Sequence, residues 1–281
     1  MSRVLVTGAG GQVGREVVEL LGSSAVPFDH SSLDVADGAQ VLSVVRSERP
    51  DAIVHCAAFT AVDRCETERE AAFAVNQLGN RHMQQAASDV GAYLVTISTD
   101  YVFDGTKEGP YVETDVTNPQ SAYGQSKLAG EVEIDLSAGA VVRTSWIVGR
   151  YGANMVKTIL RLAGEYETLT FVDDQVGHPT VASDLASMLV RFVDQRLTGV
   201  WHVTNQGPVS WYEFAREVLK ASGQDPDRVK PITTAELNPP RPAPRPANSV
   251  LANARLVQAG IPLLPDFRPS LSELVARLEP A

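Results

Sequence analysis

Val4-Leu5-Val6-Thr7-Gly8-Ala9-Gly10-Gly11-Gln12-Val13-Gly14 is the stretch whose reading decides the fold class. A short apolar run, Val4–Val6, meets three glycines spaced G-x-x-G-x-x-G at Gly8, Gly11 and Gly14, and a period-3.6 apolar pattern follows over Gln12–Leu21. Glycine allows positive φ in a tight turn, close approach of backbone to a pyrophosphate, and close packing of helix on strand. The amide N–H groups and dipole at a helix start then favour phosphate. Glycine triplets alone mark many loops, but the strand–turn–helix setting points to a dinucleotide.

Working outward, the runs Ala25–Phe28, Ala52–Cys56, Tyr93–Ile97 and Val141–Arg143 read with Val4–Val6 as short buried strands. Gly38–Arg46, Glu68–Val90 and Ala122–Leu136 carry helical periodicity between them. Repeated strand–helix–strand units imply an α/β protein with a doubly wound parallel (Rossmann) sheet, and a ligand site beyond the C-terminal strand ends. Beyond Trp146 the alternation loosens. Asn154–Leu162, Val181–Phe192 and Trp211–Ala221 read as helices, the last opened by Ser210, and Val200–Val203 reads as a strand. The expected division is a cofactor domain over 1–145 plus about 176–203, with a smaller C-terminal α/β substrate-binding domain over 146–175 and 204–281. Residues 239–246 hold five prolines, which makes them an extended spacer or a rigid strap carrying Arg241 and Arg245 over a ligand.

The chain has 281 residues, 24 Lys+Arg, 34 Asp+Glu and 44% apolar residues, which fits a globular core without staples. A net charge of −10 argues against nucleic acid and against an anionic membrane surface. It leaves room for a small anionic ligand held by backbone N–H groups and a few Arg. The two cysteines cannot make a disulfide scaffold or a zinc site; Cys56 reads as a buried thiol, and Cys65 lies among charges. The start of the chain lacks a signal-peptide pattern and no run is long enough to span a membrane, so a reducing cytoplasmic setting is expected.

Asp29, which closes the second strand, lies 21 residues after Gly8, the offset of an acid that holds the adenosine ribose hydroxyls. An acid there favours NAD over NADP, while Ser31 and Ser32 are available to a phosphate, so both cofactors stay open. Asp34 and Val35 fit a loop covering the adenine. Tyr123-Gly124-Gln125-Ser126-Lys127 is Y-x-x-x-K, which puts phenol and ammonium on one helix face. A phenol with a pKa near ~10 needs a neighbouring cation before it can exchange protons at neutral pH. Thr99 ends the fourth strand 24 residues before Tyr123, where the switch-point rule places a ligand.

These segments, together with Ala57-Ala58-Phe59-Thr60-Ala61-Val62-Asp63, Ser98-Thr99-Asp100-Tyr101-Val102-Phe103 and Asp174-Gln175-Val176-Gly177-His178-Pro179-Thr180, resemble the dTDP-4-dehydrorhamnose reductase family of the extended short-chain dehydrogenase/reductases. The resemblance covers nearly the whole chain. It implies that Thr99 and Tyr123 are catalytic, and that Lys127 orients the cofactor and tunes the phenol. It implies that Gly10, Gly11, Gln12, Val13, Asp29, Asp34, Val35, Ala57, Ala58 and Phe59 surround NADPH or NADH. Asp100 and Trp146 would contact the sugar nucleotide, and Arg241 and Arg245 are the candidate cations for it. His178 is given a structural role. Dehydratases of the superfamily carry an acid after the Thr-Asp pair; Tyr101 stands there, which disfavours elimination and leaves ketone reduction. Some family members bind Mg²⁺ at a dimer interface through glutamates; Glu16 lacks a recognisable set of partners, so no metal ligand is assigned and monomer and homodimer both stay open. The expected activity is reduction of a dTDP-4-keto-6-deoxy sugar. A different sugar-nucleotide ketoreductase and a non-enzymatic cofactor-binding subunit are the alternatives.

Overall fold

The computed structural model describes residues 3–278. Six parallel strands form one sheet: β1 (Val4–Thr7), β2 (Ala25–Phe28), β3 (Ala52–His55), β4 (Tyr93–Thr99), β5 (Gly139–Thr144) and β6 (Gly199–His202), in the spatial order β2-β1-β3-β4-β5-β6. The chain reverses its direction of travel across the sheet between β1 and β3, so the switch point opens above these two strands. Alternate residues feed two cores. Val4, Val6, Val54, Val95 and Val142 pack under α1 (Gln12–Leu21) and α8 (Ala182–Gln195). Leu5, Ile53, Leu94 and Val141 pack under α2 (Gly38–Glu48) and α5 (Gly79–Val90). Burial on both faces is why these strands read as unbroken apolar runs. Each such side chain contributes about 1.5–3 kcal/mol.

β2 departs from expectation. It pairs only with β1, its residues are half-buried or exposed, and Pro27 sits where no second strand needs an N–H. Edge position depends on the order of strands, which the local sequence does not carry. The helical stretch expected over 68–90 is also interrupted. After α3 (Val62–Thr67) and α4 (Arg69–Phe73), residues Ala74–Leu78 form a π-turn before α5 begins. That turn aims the buried Asn76 amide at both Phe59 backbone groups, accepting from its N–H at 2.8 Å and donating to its C=O at 3.1 Å, and at the Ser126 hydroxyl at 2.9 Å.

After β5 the chain leaves the sheet through α7 (Met155–Glu165), and Thr180–Val181 pairs with Ile147–Val148 before α8 and β6 rejoin it. It then leaves again through α9 (Trp211–Ala221), whose capping box joins Ser210 and Glu213. α10 (Ala254–Gln258) and α11 (Phe267–Arg277) complete the described chain. A third apolar core joins α7, α9 and α11 around Ile159, Phe214, Leu219, Phe267 and Leu271, beneath the parallel pair Leu169–Val172 and Val229–Ile232. Among the described residues no helix is long and apolar enough to cross a membrane.

Candidate active site

A cleft of about 490 Å³ lies beyond the C-terminal ends of the central strands, with Trp146, Met155 and Trp211 of the third core on its far wall. Its floor at β1 is the glycine turn. Gly8 has φ +62°, and a Cβ on it would lie 2.7 Å from the Ala57 nitrogen. A Cβ on Gly14 would lie 2.2 Å from the Gly8 oxygen, so α1 starts hard against the turn. Gly8, Gly11, Gln12, Val13 and Gly14 all line the cleft. The turn also presents the start of a ten-residue helix without a side-chain cap, which leaves its first N–H groups for an anion.

Opposite the turn, α6 (Ala122–Val132) carries Tyr123 and Lys127. Ser121 caps it by accepting from the Gly124 N–H at 3.1 Å. A Cβ on Gly124 would stand 2.2 Å from the Tyr101 oxygen. That close seat brings Tyr123 against the Thr99-Asp100 corner, where the Thr99 hydroxyl faces the phenol and Tyr101 meets its ring edge-on at 5.6 Å. Burial raises the Tyr123 phenol above its ordinary value, and the Thr99 hydroxyl opposes that rise. Burial pushes the Lys127 ammonium down to about 8, with Glu131 and Cys56 opposing, and its Nζ donates to the Ile97 carbonyl at 2.7 Å. Thr99, Asp100, Tyr123, Lys127 and Trp146 therefore share one cleft with the glycine turn.

Ala58 also lines the cleft; Gly10, Asp29, Asp34, Val35, Ala57 and Phe59 do not. Asp29 lies beside Gly10, whose absent Cβ would sit 3.6 Å from the Asp29 Cβ. Both serines expected to be free for a phosphate, Ser31 and Ser32, donate their hydroxyls to Asp29 Oδ1, at 2.7 and 2.9 Å. Those bonds hold the exposed Asp29 carboxyl below its ordinary value. The Asp34 carboxylate closes its own turn by accepting from the Ala36 N–H, and the Val35 carbonyl bonds the His82 ring. Phe59 is pinned by Asn76, and the Ala57 N–H donates to Thr7 Oγ1 at 3.3 Å. These features fit a dinucleotide laid from Asp29 across the glycine turn to Tyr123 and Lys127.

The cysteines exchange places relative to the sequence reading. Cys56 is half-buried on the cleft wall, whereas Cys65 is fully buried against Ala72 and Ala122, because α3 turns its apolar face inward between charged neighbours. Burial raises both thiols, Cys56 to about 12 and Cys65 to about 11, so neither is a thiolate. Trp146 lies in the cleft with φ +42° and stacks on Trp211 at 3.6 Å, 7° from parallel; Trp211, at the start of α9, was not singled out for the site by the sequence. His178 is buried, and its backbone carbonyl accepts from the Ser145 hydroxyl at 2.7 Å.

The strap runs back over α3. Arg245 grips Asp63 through both guanidinium ends at 2.7 and 2.9 Å, and Arg241 lies 3.9 Å from the same carboxylate. Neither arginine lines the cleft. Behind Lys127, Glu131 accepts from Ser98 at 2.5 Å and from Arg143 Nη2 at 2.7 Å, with the Glu131 and Arg143 side chains each only 6% exposed. Among the described residues no group of three or more His, Cys, Asp or Glu is placed to hold a metal ion. Glu16 lines a small hollow with Asp184, Glu273, Arg150 and Arg277, and Glu19 lies near it.

A family model described as the RmlD substrate binding domain matches residues 2–279. The chain belongs to that family. This RmlD-family chain is 43% identical over 282 residues to a dTDP-4-dehydrorhamnose reductase of Streptomyces griseus, covering 96% of this chain and 92% of the relative. It is 43% identical over 236 residues to a dTDP-4-keto-6-deoxy-D-glucose reductase of Streptomyces niveus, covering 82% of each. The solved dTDP-4-dehydrorhamnose reductase of Bacillus anthracis in complex with NADP superposes with a TM-score of 0.93 at 38% identity, covering 98% of this chain and 99% of that one. The RmlD-family architecture is thus that of an extended reductase fold over its full described length.

Proposed function

We propose that this chain reduces the C4 ketone of dTDP-4-dehydro-6-deoxy-L-mannose (dTDP-4-dehydro-β-L-rhamnose), giving dTDP-L-rhamnose, with NADPH or NADH. The observation that carries the reading is the meeting of Thr99, Tyr123 and Lys127 with the glycine turn in one cleft. The dinucleotide, when bound, supplies the hydride that attacks C4. Thr99 holds the ketone oxygen, and Tyr123 delivers its proton to that oxygen as it becomes an alcohol, a role worth about 10²–10⁴-fold in rate. Lys127 carries the positive charge that makes phenolate formation affordable, and it orients the cofactor ribose. The backbone N–H groups at the start of α1 hold the cofactor diphosphate, which is how a chain of net charge −10 takes an anionic ligand. Residues 1–145 with about 176–203 serve the cofactor, and 146–175 with 204–281 serve the sugar nucleotide.

Asp100 and Trp146 line the same cleft, and in this reading they contact the sugar nucleotide. Arg241 and Arg245 remain our candidates for the sugar-nucleotide diphosphate, Arg245 by exchanging Asp63 for the ligand. The Streptomyces niveus relative, a reductase of another dTDP-4-keto sugar, favours a second reading with the same chemistry and a different sugar configuration. The test is cofactor oxidation followed by absorbance, with each dTDP-4-keto-6-deoxy sugar and without it. The reading expects oxidation that depends on the L-lyxo substrate and yields dTDP-rhamnose. Cofactor binding with no turnover on any of these sugars overturns it.

A further inference from the structure

Trp146 is held in an arrangement that neither its backbone nor its ring favours by itself. Its φ of +42° lies in the left-handed region, which residues with side chains seldom occupy. Its indole lies over that of Trp211 with ring centroids 3.6 Å apart and planes 7° from parallel. Aromatic pairs otherwise prefer offset or edge-on contact at about 4.5–7 Å. Departures of this kind persist where the surroundings over-determine them, and they gather at ligand sites.

The surroundings do so here. The Trp146 carbonyl accepts from the Thr180 N–H at 3.2 Å, and the neighbouring Ser145 is tied to His178. A Cβ on Gly177 would stand 2.7 Å from Trp146 Cε2 and 2.9 Å from Cζ2, so this glycine makes room for the edge of the ring. Gly177 is joined to the other side of the slot, because Val176–Gly177 pairs antiparallel with Val209–Ser210, and Trp211 follows directly. Ser210 caps α9 by accepting from the Glu213 N–H at 3.1 Å, and its hydroxyl donates to Asp173 Oδ1 at 2.5 Å. Behind Trp211, Phe214 meets its ring edge-on at 5.9 Å, and Phe267 follows Phe214 at 5.9 Å, so the stack is rooted in the third core. One face of the Trp146 indole is backed and one edge abuts Gly177, while the residue lines the cleft with Thr99, Asp100 and Tyr123.

We propose that Trp211 is a positioning residue that fixes the Trp146 indole as a preformed wall of the sugar-nucleotide subsite. A wall set before the ligand arrives spares the ordering of a large side chain on binding. The role rests on the reading above in which Trp146 contacts the sugar nucleotide, and Trp211 acts through Trp146.

The test begins in the free protein. The chain has three tryptophans, and the third, Trp201, packs elsewhere against Phe192 and Arg255, so the Trp146 indole N–H can be followed by nuclear magnetic resonance. Its order parameter should lie near the rigid value of about 0.85, drop below about 0.6 in Trp211→Ala, and stay rigid in Trp211→Phe, which keeps a flat ring behind the indole. Calorimetry with dTDP-L-rhamnose should show a dissociation constant raised about fivefold in Trp211→Ala and largely restored in Trp211→Phe, with cofactor affinity unchanged in both. Trp146→Ala and Trp146→Ala/Trp211→Ala should bind the sugar nucleotide equally, because the second substitution has nothing left to position. A Trp146 indole that stays rigid in Trp211→Ala overturns the proposal. So does a double variant weakened by the full Trp211→Ala factor, which would mean that Trp211 touches the ligand itself. Parallel losses of cofactor and sugar-nucleotide affinity in Trp211→Ala would show a merely structural residue and overturn it as well. A wild-type protein that binds dTDP-L-rhamnose but oxidises no cofactor refutes the proposed reduction alone, since the variants still read the wall through binding; one that binds no dTDP sugar refutes both.

Discussion

Replacing Glu131 with Gln removes the carboxylate that pairs with Arg143 at a place where both side chains are 6% exposed. Arg143 approaches Glu131 through Nε at 2.9 Å and through Nη2 at 2.7 Å, and it has no second acidic partner among the described residues. Breaking one half of such a pair costs about 3–5 kcal/mol, because the other charge stays buried alone. Gln keeps an oxygen for Ser98 and for one guanidinium N–H, which places this variant near the low end. For a chain of this size about 3 kcal/mol corresponds to a melting temperature roughly 6–12 °C lower. There is a second consequence, because Glu131 is the leading group holding the Lys127 ammonium up against burial. Lys127 loses its proton as pH rises through about 8, and without Glu131 that loss moves to lower pH. Thermal unfolding followed by circular dichroism, together with cofactor affinity from pH 6 to 9, reads both effects. The Glu131→Met/Arg143→Met double variant should recover most of the stability and none of the alkaline affinity. A single variant within about 1 kcal/mol of wild type would refute the buried-pair reasoning, and an unmoved alkaline limb would refute the coupling to Lys127.

Gly14→Ala should weaken cofactor binding at least tenfold by calorimetry, since its Cβ would stand 2.2 Å from the Gly8 oxygen and must push α1 off the turn; unchanged affinity would mean that the turn does not hold the diphosphate. Overpacking of this kind also costs about 1–3 kcal/mol of stability in the free protein. Arg245→Ala frees Asp63 and should raise KM for the sugar nucleotide while leaving the cofactor dissociation constant within twofold; equal effects on both would show that the strap serves only to hold the fold. Asp29→Ala should weaken NADH more than NADPH in a titration, because in the proposed reading the carboxylate set beside Gly10 accepts from the ribose hydroxyls. Equal losses for the two cofactors would remove Asp29 from the ribose site.

The features legible from sequence are those fixed by short-range chemistry. The bounds of α1 and α9 follow from the glycine turn and from the Ser210–Glu213 capping box, both local signals. Tyr123 and Lys127 share a face because four residues is about one helical turn, and Thr99 reaches them because it ends β4, the strand next to the switch point. What stayed hidden depends on distant partners. Pro27 hints at an edge strand only once the order of strands is known. Asn76 acts through a π-turn that places it against Phe59 and Ser126, and no periodicity announces that turn. Arg245 reads as a free cation until the fold sets Asp63, 182 positions away, beside it. Glu131 carried one local signal, its i,i+4 spacing from Lys127, but its bond to Arg143 needed the pairing of β4 with β5. Trp211 read only as the first residue of a helix, and its stacking on Trp146 comes from folding the C-terminal core against the cleft.

The central claim is that the Tyr123 phenol delivers the proton that completes ketone reduction. The most direct measurement is kcat of Tyr123→Phe with the dTDP-4-keto sugar, beside its melting temperature and cofactor affinity. The ring remains to pack against Tyr101, so folding and cofactor binding should stay close to wild type. Turnover should fall by about 10²–10⁴-fold, the share that a positioned general acid supplies. A Tyr123→Phe variant that turns over at the wild-type rate would contradict the account.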